Sequence, residues 1–178
     1  PNLVYLTLSQ DARRESDARL IIGKARENGL GVLLVGIHPA AGFGLEKSIN
    51  LWISDRSPNW HMTMELGDMD VCLLIAYLLK RNWNAELNLL TVVANSGEAD
   101  NARSFLTRLV ELARLPKNTH IHVACGNFFE YLSSAPEADL NIFGFPCELD
   151  FGPMRNIVVE TGSSCAFLLS SGQESALA

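Results

Sequence analysis

Short apolar runs alternate with amphipathic stretches along most of the chain, and that alternation predicts its elements. Residues 3–8 read as a strand, and residues 11–28 as a helix with Ile21, Ile22 and Ala25 near one face. Asn28-Gly29 stops this helix, because glycine tolerates the left-handed backbone that a helix end needs. Residues 32–37 form a second buried strand and complete a βαβ unit. Pro39, Gly42 and Gly44 make residues 38–47 a loop, after which Ile49-Asn50-Leu51-Trp52-Ile53 is a third strand. A second loop, 55–67, leads into a helix from about residue 68, whose Asp68 and Asp70 suit the positive N-terminal end. Its body, Val71 to Leu79, is apolar on every side and stops at Lys80-Arg81.

The second half continues the pattern. Residues 87–93 are a strand, and Asn95 with Glu98 three residues later resembles a capping box that opens a helix to residue 114. Ala102, Phe105, Leu106, Leu109, Leu112 and Ala113 follow the 3.6-residue stripe of that helix. Strands at 119–124, 140–143 and 166–169, with helices at 128–133 and 154–161, complete the chain. Apolar strands alternating with helices predict an α/β fold, with a mostly parallel, doubly wound sheet covered by helices on both faces. Residues 1–178 show no linker or shift in composition and read as one domain.

Composition narrows the function. With 48% hydrophobic and 19% charged residues the chain has the material for a core, which excludes a disordered or low-complexity segment. Fourteen Lys and Arg against 20 Asp and Glu give a formal net charge of −6, which argues against nucleic acid and anionic lipid as direct partners. The longest apolar run falls far short of the roughly 20 residues of a membrane-spanning helix, so no direct membrane insertion is expected. No leader pattern is visible, and an opening at Pro1 points to a piece of a longer protein. Cys72, Cys125, Cys147 and Cys165 are widely spaced and read as reduced core residues of a cytosolic protein.

The candidate chemistry is thin. Gly42-Phe43-Gly44-Leu45-Glu46-Lys47-Ser48 has the glycines of a phosphate loop, but Glu46 stands where glycine is required and a strand follows where a helix should. Thr161-Gly162-Ser163-Ser164-Cys165 is no nucleophile elbow, and Ser163 and Ser164 read as turn residues. His120 and His122 share one face of a strand near Cys125, which leaves a metal-dependent hydrolase as a distant alternative; a partly solvated edge strand explains the pair more simply. Asp55, Arg56 and His61 follow the third strand, at the end of the sheet where doubly wound folds bind ligands, and are the candidate loop contacts. No catalytic residue, metal or cofactor is expected.

Taken in succession, the strand Ile49 to Ile53, the apolar helix Val71 to Leu79, the basic Lys80-Arg81-Asn82-Trp83, the strand Leu87 to Val93 and Ala138-Asp139-Leu140-Asn141-Ile142 resemble a known family. The ending, Phe167-Leu168-Leu169-Ser170-Ser171-Gly172-Gln173-Glu174-Ser175-Ala176-Leu177, is similar too. The resemblance is to the cytosolic C-terminal domain of cation-chloride cotransporters, in a compact, prokaryotic form. It implies a fold like universal stress proteins, the later part of a cytosolic region on the cytoplasmic side of the membrane, and no catalytic residue. The implied partners are the transporter's own membrane domain, which carries sodium, potassium and chloride, and a second copy in a homodimer. Trp52, Tyr77 and Trp83 are the candidate dimer contacts. The family's acidic-Gly-Gly turn is replaced by the longer 55–67 loop, and no phosphorylation-rich insert occurs. The alternative function is a nucleotide-binding module of the universal stress type, although the Gly-x-x-Gly pair that holds phosphates there is absent.

Overall fold

Every expected strand and helix is present, shifted by a few residues at its ends. The structure, a computed structural model, describes residues 2–63, 66–146 and 148–177, so Pro1 and Cys147 lie outside the described residues. The elements are β1 (Leu3–Thr7), α1 (Glu15–Glu27), β2 (Gly31–Gly36), β3 (Ser48–Trp52), α2 (Asp68–Trp83), β4 (Glu86–Val93), α3 (Ala99–Leu112), β5 (His120–Cys125), α4 (Phe128–Leu132), β6 (Leu140–Gly144), α5 (Phe151–Thr161) and β7 (Ser164–Leu169). The strands form one seven-stranded sheet in the order β1-β2-β7-β6-β3-β4-β5. All neighbours are parallel except β2 and β7. The sheet is therefore a β1–β2 pair joined antiparallel to a five-stranded parallel block.

Alternation along each strand sends side chains to two cores. On one face Ile49, Leu51, Leu87, Leu89, Leu140 and Ile142 pack under α2 and α3. On the other, Val32, Leu34, Trp52, Leu90, Phe143 and Phe167 pack under α1, α4 and α5. Burial on both faces explains why the central strands read as nearly continuous apolar runs.

Several local expectations need correction. Helix α2 runs past the expected stop at Lys80-Arg81 through Trp83 and ends at Asn84, whose φ of 51° is left-handed, so the basic segment is the helix's last turn. Asn95 does cap, accepting from the Gly97 N–H, but Glu98 turns to the Asn101 amide and closes no capping box. Helix α5 starts at Phe151 because Asp150 accepts the Gly152 N–H, and Pro153 is tolerated in a first turn that needs no such donor. Ser163 and Ser164 are buried anchors and no exposed turn: Ser163 Oγ accepts from Asn141 Nδ2, and Ser164 Oγ accepts the His38 N–H. Cys72 and Cys165 are core residues whose thiols burial pushes up, Cys165 to about 12, whereas Cys125 is exposed.

The later half of the loop between β2 and β3 is held by one carboxylate. Asp139, just before β6, accepts the N–H groups of Leu45, Lys47 and Ser48 at 2.9, 2.7 and 3.0 Å. Gly44 sits against it with φ +57°, and a Cβ there would stand 1.9 Å from Asp139 Oδ1. Asp139→Ala is expected to cost about 1–2 kcal/mol, since the freed N–H groups are near water. Gly44→Ala is expected to cost about 2 kcal/mol, because the left-handed backbone alone costs roughly 1–2 kcal/mol for a residue with a Cβ. Partial burial raises the Asp139 carboxyl, but the donors outweigh it and hold it below its ordinary value of 3.8. A depressed folded-state pKa gives stability that is present above the unfolded value and lost as pH falls through the folded one. Acid titration of the loop amides by NMR should therefore show them released only below about pH 3.8; release near neutrality would contradict the clamp.

Candidate functional site

The chain leaves β3 in one direction through β4 and β5, then crosses back to β6 and β7 on the other side. Strand order thus reverses between β3 and β6, and the crevice at their carboxyl ends is where doubly wound sheets hold ligands. A cleft of about 430 Å³ opens there, lined by Trp52, Asp55, Arg56, Asp68, Met69 and Gly144 among others. A second hollow of about 310 Å³, walled by Trp52, Phe128 and Phe143, adjoins it and shares Asp55 and Gly144.

Each wall has a local cause. Strand β3 ends at Trp52, and Asp55 folds the chain back by accepting from Ser57 N and Ser57 Oγ while its other oxygen takes the Ala94 N–H. Partial burial opposes these donors, yet they hold the Asp55 carboxyl below its ordinary value. The Arg56 guanidinium lies 5.2 Å above the Phe105 ring, and its Nη1 is buried without a hydrogen-bond partner. Asp68, in the first turn of α2, accepts the Ser170 N–H, and burial raises its carboxyl despite that bond and the nearby Arg26. Gly144 ends β6 beside it: a Cβ there would lie 3.6 Å from the Asp68 Cβ.

The fold brings together only some of the residues singled out in the sequence. Asp55 and Arg56 share the cleft, whereas the exposed His61 lines a separate depression with Trp60, Phe105 and Arg108. Trp52 is 6% exposed and belongs to the core opposite α2, stacked 5.6 Å from Phe143, with its indole N–H on Asn141 at 2.7 Å. It is therefore not brought together with Tyr77 and Trp83, which pack partly buried on the α2 side. His120 and His122 do lie on an edge strand, but alternation sends Cys125 to the opposite face, and no three metal-binding side chains cluster among the described residues. Partial burial, with His120 and Arg103 nearby, lowers the His122 imidazole.

The sequence reading missed a row of asparagines. Asn141, Asn50 and Asn88 stand side by side on β6, β3 and β4, all buried. Asn88 donates to Asn50, Asn50 donates to the Pro136 carbonyl, and Asn141 joins Trp52 to Ser163. A signal existed: Ile49-Asn50-Leu51, Leu87-Asn88-Leu89 and Leu140-Asn141-Ile142 place the same apolar-Asn-apolar triplet in three buried strands. Asp68 of the cleft was read only as a partner for the helix end.

Residues 44–177, which span β3 to the end of the chain, match the family model for the prokaryotic cation-chloride cotransporter C-terminal domain, second part. The chain belongs to this family. The crystal structure of the cytoplasmic domain of a prokaryotic cation chloride cotransporter agrees with a TM-score of 0.91 at 42% identity, covering 98% of this chain and 66% of that one. This cotransporter domain thus spans just under two thirds of that relative's length. A universal stress protein from Archaeoglobus fulgidus DSM 4304 aligns with a TM-score of 0.56 at 12% identity, over 93% of this chain and 60% of that one, which shows a shared fold alone. No curated protein matches the chain. Among the described residues, no helix of the cotransporter domain is long and apolar enough to cross a membrane.

Proposed function

We propose that this single α/β unit is a non-catalytic, regulatory and dimerisation domain on the cytoplasmic side of a transporter that moves sodium, potassium and chloride through its membrane domain. Family membership supports the setting, and the outer face of α2 supports the association. Val71, Cys72, Leu73 and Ala76 of this helix are buried against the sheet, but Leu78 is 52% exposed and the partly buried Tyr77 ring carries the Arg81 guanidinium at 5.8 Å. Past the helix end Trp83 meets Phe43 at 6.2 Å between ring centroids, and Leu45 is 81% exposed. Apolar surface of this kind, rimmed by polar residues, is what a protein contact covers.

In this reading Tyr77, Leu78 and Trp83 meet their copies in a second chain. Light scattering of the purified chain is expected to give a dimer, and Leu78→Glu to shift it at least tenfold toward monomer with unchanged far-UV circular dichroism. A strict monomer at millimolar concentration would remove the dimerisation reading. Chloride flux through the full transporter in proteoliposomes tests regulation: Leu78→Glu should change the rate, and an unchanged rate counts against control through this face.

A further inference from the structure

The cleft at the carboxyl ends of β3 and β6 holds two opposite charges that do not meet each other. Arg56 is fixed over Phe105 and has no hydrogen-bond or ion-pair partner among the described residues, and its Nη1 is shielded from water. Asp68 faces the same space with one oxygen on the Ser170 N–H and the other unengaged among the described residues. The third charged wall residue, Asp55, is occupied by Ser57 and Ala94. Around these groups the wall is mixed: Ile53, Leu66, Met69 and Phe145 stand beside the polar Ser54 and Asn59.

Arg56 and Asp68 are each partly buried, and a partly buried charge without a partner is stabilised by a group of opposite sign. A simple anion would answer Arg56 but face Asp55 and Asp68; a simple cation would answer Asp68 and leave Arg56 as it is. A molecule carrying both charges on one short backbone, with an apolar remainder, answers all three features. The volume of about 430 Å³ lies in the range of about 300–1,000 Å³ typical of small-molecule sites.

We propose that this cleft binds a small zwitterion of the α-amino acid class, its carboxylate on Arg56, its ammonium on Asp68 and an apolar side chain against Leu66 and Met69. The assignment goes beyond the regulatory reading and does not depend on dimerisation.

Calorimetric titration of the full chain with leucine, methionine, valine and phenylalanine tests it, with isobutyrate and isobutylamine as analogues that lack one charge. Saturable heat is expected from at least one amino acid and none from either analogue. Arg56→Gln and Asp68→Asn should each weaken binding at least tenfold; the amide oxygen of the Asp68→Asn variant would still accept the Ser170 N–H, so both variants should melt like the parent. Gly144→Leu, which fills the cleft beside Asp68, should abolish the heat. The assignment is overturned if no amino acid binds at millimolar concentration, if either analogue binds as well, or if the Arg56 variant keeps full affinity. Saturable heat from ATP with none from amino acids would overturn it as well, in favour of a nucleotide.

Discussion

Replacing Trp52 by alanine is expected to destabilise the domain by about 4–8 kcal/mol, close to the whole stability of many domains of this size. The side chain is 6% exposed, stacked on Phe143 and met edge-on by Phe128 and Tyr131. Truncating a buried aromatic costs about 3–5 kcal/mol through lost transfer energy and the cavity left behind. Loss of the indole N–H also strands Asn141 Oδ1, adding about 1–3 kcal/mol unless water enters. Trp52→Phe separates the two effects: it keeps most of the ring contact and should cost about 1–3 kcal/mol. Urea unfolding followed by circular dichroism measures both. A loss below about 1 kcal/mol for the alanine variant would show that this aromatic cluster does not hold the second core together.

The second large effect is expected at Asp70, which is 3% exposed at the start of α2. Its two oxygens accept the N–H groups of Leu66 and Ala176, each at 2.8 Å. One side chain thereby fastens both the end of the β3–α2 loop and the C-terminal tail, whose Leu177 is buried in the core beneath α2. Asp70→Ala leaves two N–H groups unpaired, at about 1–3 kcal/mol each when buried; Ala176 is only partly so, and the expected total is about 2–4 kcal/mol. Asp70→Asn keeps one acceptor and should fall between. Hydrogen exchange distinguishes a local latch from a general loss: amides of residues 170–177 should exchange faster in Asp70→Ala than those of β3 and β4. Unchanged tail protection would mean that Leu177 and the Glu174 carboxylate, which accepts from Ser170 and Ser171, hold the tail by themselves.

Most of the fold was legible because burial on both sheet faces leaves a strong mark: the central strands are apolar runs of strand length, and α3 shows an unbroken 3.6-residue stripe. Corrections fall where a polar side chain takes a hydrogen-bond partner. Asp150 moved the start of α5, Ser163 and Ser164 became anchors, and Glu98 turned away from its expected cap. The partners of Asp150 and Glu98 stand two and three residues away, but those of Ser163 and Ser164 stand 22 and 126 residues away, which no local pattern encodes. Of the candidate residues, Asp55 and Arg56 could be placed because carboxyl ends of parallel strands gather in one crevice. His61 lies only five residues on, yet the loop carries it to another depression.

The sequence by itself determined the element types, the family and the two-sided coverage of the sheet, since periodicity and residue succession are properties of the chain alone. Only the tertiary structure decided the strand order, the antiparallel junction of β2 with β7, the separation of Trp52 from Tyr77 and Trp83, and the meeting of Arg56 with Asp68 in one cleft. Side-chain direction alternates along a strand and strand order is set by crossovers, so which residues face each other across a crevice is fixed by packing and not by distance along the chain.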